Sequence, residues 1–183
     1  MSSAHLREPD VRIWTKTIAL TLLAAGWSAP SAAQEAPPAP EPGLEFVLEE
    51  IVKLGPAVEV GQTARGNRRI IPITGGSFEG PKLRGEVMPG GWDWQLDRGD
   101  GCTEIVADYF LKTDDGAVIN VRNTGTLCRP AEGEVPQPVR THPVFEPPLG
   151  IYAWLGEGAF IGTLGMAPPS EGPAVLIRFY RAK

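Results

Sequence analysis

The residues with the clearest chemical potential lie in Trp92-Asp93-Trp94-Gln95. On an extended segment, alternation puts Trp92, Trp94 and Leu96 on one face and Asp93 and Gln95 on the other. If the tryptophans face outward, Asp93 enters the interior. Desolvation there raises a carboxyl pKa and suits it to general acid/base work, with Tyr109 or Arg84 to assist. If the facing is reversed, Trp92 and Trp94 line an apolar cavity, and Asp93 bonds backbone N–H groups near Gly90-Gly91. The sequence leaves both facings open. Trp154 joins the two tryptophans as a candidate cavity lining, with core packing as its plainer role. Arg84 and Arg122 have the donors to hold an anionic group bidentately, although strand-face arginines more often meet solvent. Asn123 is a candidate ligand contact, but the Thr124-Gly125 that follows it also suits a turn. His142, before Pro143, is placed either over a cavity mouth or in a surface loop.

Other chemistry is poorly served. The two histidines are His5 and His142, and the two cysteines are Cys102 and Cys128. No His-Glu-x-x-His, Cys-x-x-Cys, Gly-x-Ser-x-Gly, phosphate loop or dinucleotide fingerprint occurs. A His/Cys metal site is therefore not expected, and no cofactor is implied. The net charge is −5 and no basic stripe is present, which argues against nucleic acid as a partner. The one basic cluster, Arg65-Gly66-Asn67-Arg68-Arg69, reads as a solvated loop.

The elements that must position these residues are strands. Twenty-two glycines and 19 prolines fall largely between short apolar runs, a punctuation that favours an all-β chain. Leu44–Leu54 fits a half-buried strand with Leu44, Phe46 and Leu48 on its apolar side, and also fits a helical turn. Ile70–Gln95 reads as two antiparallel strands, with turns at Gly80-Pro81 and at Pro89-Gly90-Gly91. Thr103–Lys112 and Ala117–Asn123 flank Thr113-Asp114-Asp115-Gly116, which suits a three-residue hairpin loop with Gly116 left-handed. That register sets Cys102 opposite Cys128 and predicts a disulfide between them. Arg129–Gly150 is Pro-rich and reads as a long excursion without a strand. Tyr152–Leu155 and Ala159–Leu164 read as another hairpin, and Ala174–Tyr180 as a final strand. Eight to ten short strands at regular spacing predict an antiparallel barrel or sandwich.

The first 33 residues have the form of an export signal. Arg7, Arg12 and Lys16 precede the apolar run Thr17–Trp27, and Ser31-Ala32-Ala33 offers small residues for cleavage before Gln34. The run is short for a bilayer span, so no membrane span is expected after cleavage. Residues 34–43 form a Pro-rich linker, and residues 44–183 form the folded domain. The expected location is periplasmic or secreted, where a disulfide persists.

Several stretches are similar to a known family. The segments IIPITGG, FEGP and PGG-DWQ within Ile70–Gln95, TDDGA and VRN after them, RTHPVFE at Arg140–Glu146 and YAWL at Tyr152–Leu155 resemble the DUF3237 (UPF0311) family, in order and over nearly all of Leu44–Tyr180. The resemblance implies a lipocalin-like antiparallel β-barrel with a central cavity, and it implies little about activity. Two positions depart from the family pattern. Val106 replaces an acidic residue before Ala-x-Tyr, and Gly156 replaces an asparagine after YAWL.

Three functional expectations follow. The first is an exported barrel that binds a small apolar or mixed-polarity molecule. The second is a cofactor-free isomerase, cyclase or lyase with Asp93 as its acid/base group. The third is an envelope interaction module. A cavity in which Asp93 meets further polar groups selects the second.

Overall fold

A computed structural model describes residues 40–183 except 131, 136 and 137. The export signal and most of the Pro-rich linker lie outside the described residues. Ten strands follow in order: β1 (Leu44–Leu54), β2 (Val58–Thr63), β3 (Gly66–Glu79), β4 (Arg84–Val87), β5 (Gly91–Asp97), β6 (Cys102–Thr113), β7 (Val118–Cys128), β8 (Val139–Glu146), β9 (Phe160–Met166) and β10 (Ala174–Ala182). All pairings are antiparallel, and β1 pairs with both β10 and β3, which closes the sheet on itself. β2 continues the line of β1 along β3, and β5 continues that of β4. The ring is therefore an antiparallel barrel with eight positions. Among the described residues, no helix is long and apolar enough to cross a membrane.

The interior has a filled half and a hollow half. Phe78, Leu83, Val87, Leu111, Ile119, Phe145, Leu155, Phe160 and Phe179 fill one half. Phe145 meets Phe160 and Phe179 edge-on, with ring centroids 4.9 and 5.3 Å away. The hollow half is lined by smaller aliphatic side chains and by polar ones.

The hairpin between β6 and β7 has the expected register. Lys112 faces Val118, the Thr113 N–H donates to the Ala117 carbonyl, and Gly116 has φ 90°. Cys102 and Cys128 face each other at the far end of the pair and are disulfide-bonded.

Five local expectations are corrected. Ile70–Gln95 forms three strands rather than two, because Met88 and the turn after it break the second run into β4 and β5. Tyr152–Leu155 is not a strand: Ala153–Leu155 is a 3₁₀ turn packed on the filled half. Its apolar residues are consecutive, and a strand would have pointed alternate ones into water. Val139–Glu146 is a strand, concealed because Pro143 stands in its inward row between Thr141 and Phe145. In β1 a register shift between Phe46 and Leu48 buries both Val47 and Leu48. It leaves Leu44 and Phe46 outside and turns Leu48, Glu50 and Val52 inward. The predicted basic loop also shortens: Gly66 begins β3, and Arg68 and Arg69 are strand residues.

The disulfide closes a loop across the β6–β7 hairpin, with a sequence separation of 26. Chain entropy assigns such a loop roughly 3 kcal/mol. Urea unfolding of the oxidised and reduced protein should show the reduced form less stable by about that amount, with a similar m-value.

Candidate functional site

The site is built on the inward faces of β5, β6 and β7. Trp92 and Trp94 face outward, 38% and 43% exposed. Asp93 and Gln95 therefore face inward, as the first of the two sequence facings requires. Pairing then fixes their neighbours. Asp93 is opposite Ala107, which is opposite Asn123, which is opposite Pro143, so these four form one inward row. Tyr109 lies one inward position along β6 from Ala107, opposite Val121. Gly91 makes room for it: a Cβ at 91 would lie 2.5 Å from the Tyr109 Cβ.

These residues open onto a cavity of about 190 Å³. Val52, Leu54, Ile73, Ile105, Leu164 and Ile177 supply much of its wall, and Asp93, Gln95, Tyr109 and Asn123 supply the polar groups. Met166, an exposed residue, lines it as well. The small side chain of Ala107 separates Asp93 from Asn123 and leaves the space between them open.

Asp93 is held by a polar ladder. Gln95 Nε2 donates to Asp93 Oδ2 at 2.7 Å, and Arg69 Nε donates to Gln95 Oε1 at 2.8 Å. Arg69 also reaches Asp97 at 3.1 Å, and the Thr103 hydroxyl donates to Asp97 at 2.6 Å. The ladder leaves Asp93 Oδ1 buried and without a partner, and Asn123 Oδ1 shares that condition. Burial raises the Asp93 pKa; the hydrogen bond from Gln95 and the charge of Arg69 oppose the shift. Burying unpaired polar atoms is costly. Two such atoms on one apolar cavity are therefore positioned for a ligand that carries its own polar groups.

A second buried carboxyl stands behind Tyr109. Glu50 is 1% exposed, and its Oε1 accepts a hydrogen bond from the Tyr109 hydroxyl. Its Oε2 has no partner. Burial raises the Glu50 pKa to about 8 against the pull of the Tyr109 hydrogen bond, so the group is largely protonated at neutral pH. The Tyr109 pKa is pushed well up, by burial first and then by Glu50.

The remaining candidates lie elsewhere. Arg84 is exposed and pairs with Asp114 at 3.5 Å. Arg122 and His142 are exposed on the outer wall. Trp154 packs on the filled half, with the Lys82 ammonium 5.0 Å above its ring. The structure thus unites Asp93, Tyr109 and Asn123 and leaves Arg84, Arg122, His142, Trp92, Trp94 and Trp154 off the cavity. Glu50, Arg69 and Gln95 were not foreseen. Glu50 had a faint signal, a carboxyl between Leu48 and Val52 on one strand face. Gln95 was on the correct face, and Arg69 was hidden within an apparent surface cluster. Among the described residues, no group of His, Cys, Asp and Glu is arranged to hold a metal ion.

A family model described as a protein of unknown function, DUF3237, matches residues 42–182. The chain belongs to the DUF3237 family. A UPF0311 protein from Rhodopseudomonas palustris (strain TIE-1) is 38% identical over 135 residues, covering 67% of this chain and 88% of that one. A solved β-barrel-like protein from Acinetobacter baumannii AYE is 34% identical, with a TM-score of 0.70, covering 82% of this chain and all of the other. Two matches come from Penicillium herquei. The hydroalkoxylation enzyme phnH is 32% identical over 86 residues, 47% of this chain and 57% of that protein. A solved structure described as an enzyme is 25% identical, with a TM-score of 0.62, covering 82% of this chain and all of the other.

Glu50 makes stability depend on pH. Its folded pKa, about 8, lies above the ordinary 4.5 of an unfolded glutamate. Its contribution is therefore complete below about pH 4.5 and is lost as pH rises through about 8. At about 1.36 kcal/mol per pKa unit the loss is on the order of 5 kcal/mol. Glu50→Gln should remove this slope, so the variant gains on the wild type between about pH 5 and pH 9 in denaturant titrations.

Proposed function

We propose that this DUF3237 protein is an acid/base enzyme that works with its own side chains on a small, largely apolar molecule held in the barrel. The observation that carries the reading is the pair of unpartnered atoms, Asp93 Oδ1 and Asn123 Oδ1, on either side of Ala107 in one row of a largely apolar cavity. Asp93 would move the proton. Its raised pKa brings it toward the range in which a carboxyl exchanges protons efficiently near neutrality. Asn123 would orient the substrate from the other side of Ala107, and Tyr109 would contact it from the adjacent inward position. An apolar cavity of about 150 Å³ accepts a benzene ring, so the space here suits a substrate built on one ring.

The Penicillium herquei relative supports a reaction class. Hydroalkoxylation adds a hydroxyl across a carbon–carbon double bond. The hydroxyl loses a proton, its oxygen bonds one alkene carbon, and the neighbouring carbon gains a proton. The balance needs no oxidant or reductant, only a group that can take and return a proton, which is the role proposed for Asp93. A second reading, binding without turnover, is favoured by the aliphatic side chains that make up much of the wall.

Proton NMR in D₂O with a panel of one-ring hydroxyalkenes separates the two. The wild type should turn over at least one compound and place deuterium on carbon. Asp93→Asn should lose about 10²- to 10⁴-fold in rate while still binding. Binding by the wild type without turnover of any compound that it binds would support the second reading.

We also propose that the chain is exported. The Cys102–Cys128 bond supports this, because such bonds persist in oxidising compartments. Mass spectrometry of protein from the host envelope should find Gln34 at the N-terminus. Retention of residues 1–33 would count against it.

A further inference from the structure

We propose that Glu50 is the positioning residue that aims the Tyr109 hydroxyl, so that the cavity offers a hydrogen-bond donor to a carbonyl or phenol oxygen on its ligand. The inference rests on the cavity being a ligand site, and it adds both the residue that sets the hydroxyl's direction and the ligand chemistry that results.

Glu50 is completely enclosed and, among the described residues, has one hydrogen-bond partner, the Tyr109 oxygen. Its neighbours across the sheet are Phe78 on β3 and Ile177 on β10. When Glu50 carries its proton, that hydrogen has two places to go, and a ligand acceptor in the cavity decides between them. On Oε2 it would be a buried donor without an acceptor, a cost of about 1–3 kcal/mol. On Oε1 it donates to the phenol oxygen. Tyr109 then cannot donate back along the same line, and a ligand oxygen in the cavity that Tyr109 lines would supply the acceptor for its hydrogen, leaving no donor unpaired.

Ionisation reverses the arrangement. A carboxylate has no hydrogen to give, so it accepts the Tyr109 hydrogen, and the cavity sees only the phenol's lone pairs. With the Glu50 pKa at about 8, the donor state holds at neutral pH and is lost in mild base. The other ionisable group bearing on Tyr109 is Asp93, on β5. The Glu50 pKa is set by burial and, against it, by the Tyr109 hydrogen bond. A ligand oxygen would thus meet a donor from Tyr109 while Asp93 remains free for proton transfer. This suits a ring that bears a carbonyl or phenol oxygen beside the reacting carbon.

Two measurements test the inference. The first needs no ligand. In protein carrying ¹³Cζ-labelled tyrosine, the Tyr109 signal is assigned by its loss in Tyr109→Phe. It should shift with a midpoint near pH 8, following the Glu50 carboxyl, and it should not shift in Glu50→Gln. A Tyr109 signal that stays still while Glu50 titrates would overturn the proposal.

The second uses cyclohexanone, a one-ring acceptor. Its affinity for the wild type should fall about tenfold between about pH 6 and pH 9.5, the worth of one hydrogen bond. Glu50→Gln should bind it equally well at both, because an amide N–H donates to the phenol oxygen at every pH. Tyr109→Phe should bind weakly and without pH dependence. A wild type and a Glu50→Gln variant that weaken together would assign the pH effect to Asp93 and overturn the proposal. Failure of cyclohexanone to bind at any pH would instead count against the cavity as a ligand site, and the carbon signal would still decide whether Tyr109 follows Glu50.

Discussion

The structure depends on the double pairing of β1. With β10 on one edge and β3 on the other, β1 turns an open sheet into a ring, and every inward residue then shares one interior with the rest. Glu50 reaches Tyr109 across 59 positions of sequence only because that closure is made. An inward carboxyl on an open sheet would meet water and keep an ordinary pKa. Inside a closed barrel it is desolvated, and the site's electrostatics follow from that.

The same closure explains how the interior is divided. Large aromatic side chains from β3, β8, β9 and β10 complete one half, while Ala107 and Gly125 occupy inward positions of the other. Small residues on neighbouring strands of a closed barrel leave volume that backbone movement does not recover, because ladder hydrogen bonds hold the strands. Gly91 acts locally in the opposite sense, removing a Cβ so that the Tyr109 ring can stand against β5. The hollow is therefore a consequence of residue size at fixed positions on a rigid ring.

Polar groups in and beside this hollow are secured unequally. Asp93 has one oxygen fixed through Gln95 and Arg69 and one left bare, and Glu50 has one oxygen on Tyr109 and one left bare. A fully satisfied network would stabilise the fold and do nothing else. A half-satisfied one costs stability and holds reactive atoms in a defined direction, a pattern common at functional sites. Kinship within the DUF3237 family adds a barrel of this kind in solved relatives and an enzyme among the matches from Penicillium herquei.

Much of this was written in local pattern. Alternation placed Asp93 and Gln95 opposite the tryptophans, and the Asp-Asp-Gly turn counted Cys102 onto Cys128, because strand period and hairpin register are properties of neighbouring residues. The order of turns and short apolar runs was enough to read an all-β chain. Tertiary structure decided the rest. Which face of β5 turned inward depended on closure of the ring, and the inward row of Leu48, Glu50 and Val52 follows a register shift in the pairing of β1 with β10. Arg84 and Arg122 had the chemistry for a site but lay outside it, whereas Arg69 looked like surface charge and became its support. Local sequence sets which side chains share a face of a strand; only the closed sheet decides which of those faces is withdrawn from water, and desolvation is what gives a carboxyl its chemistry.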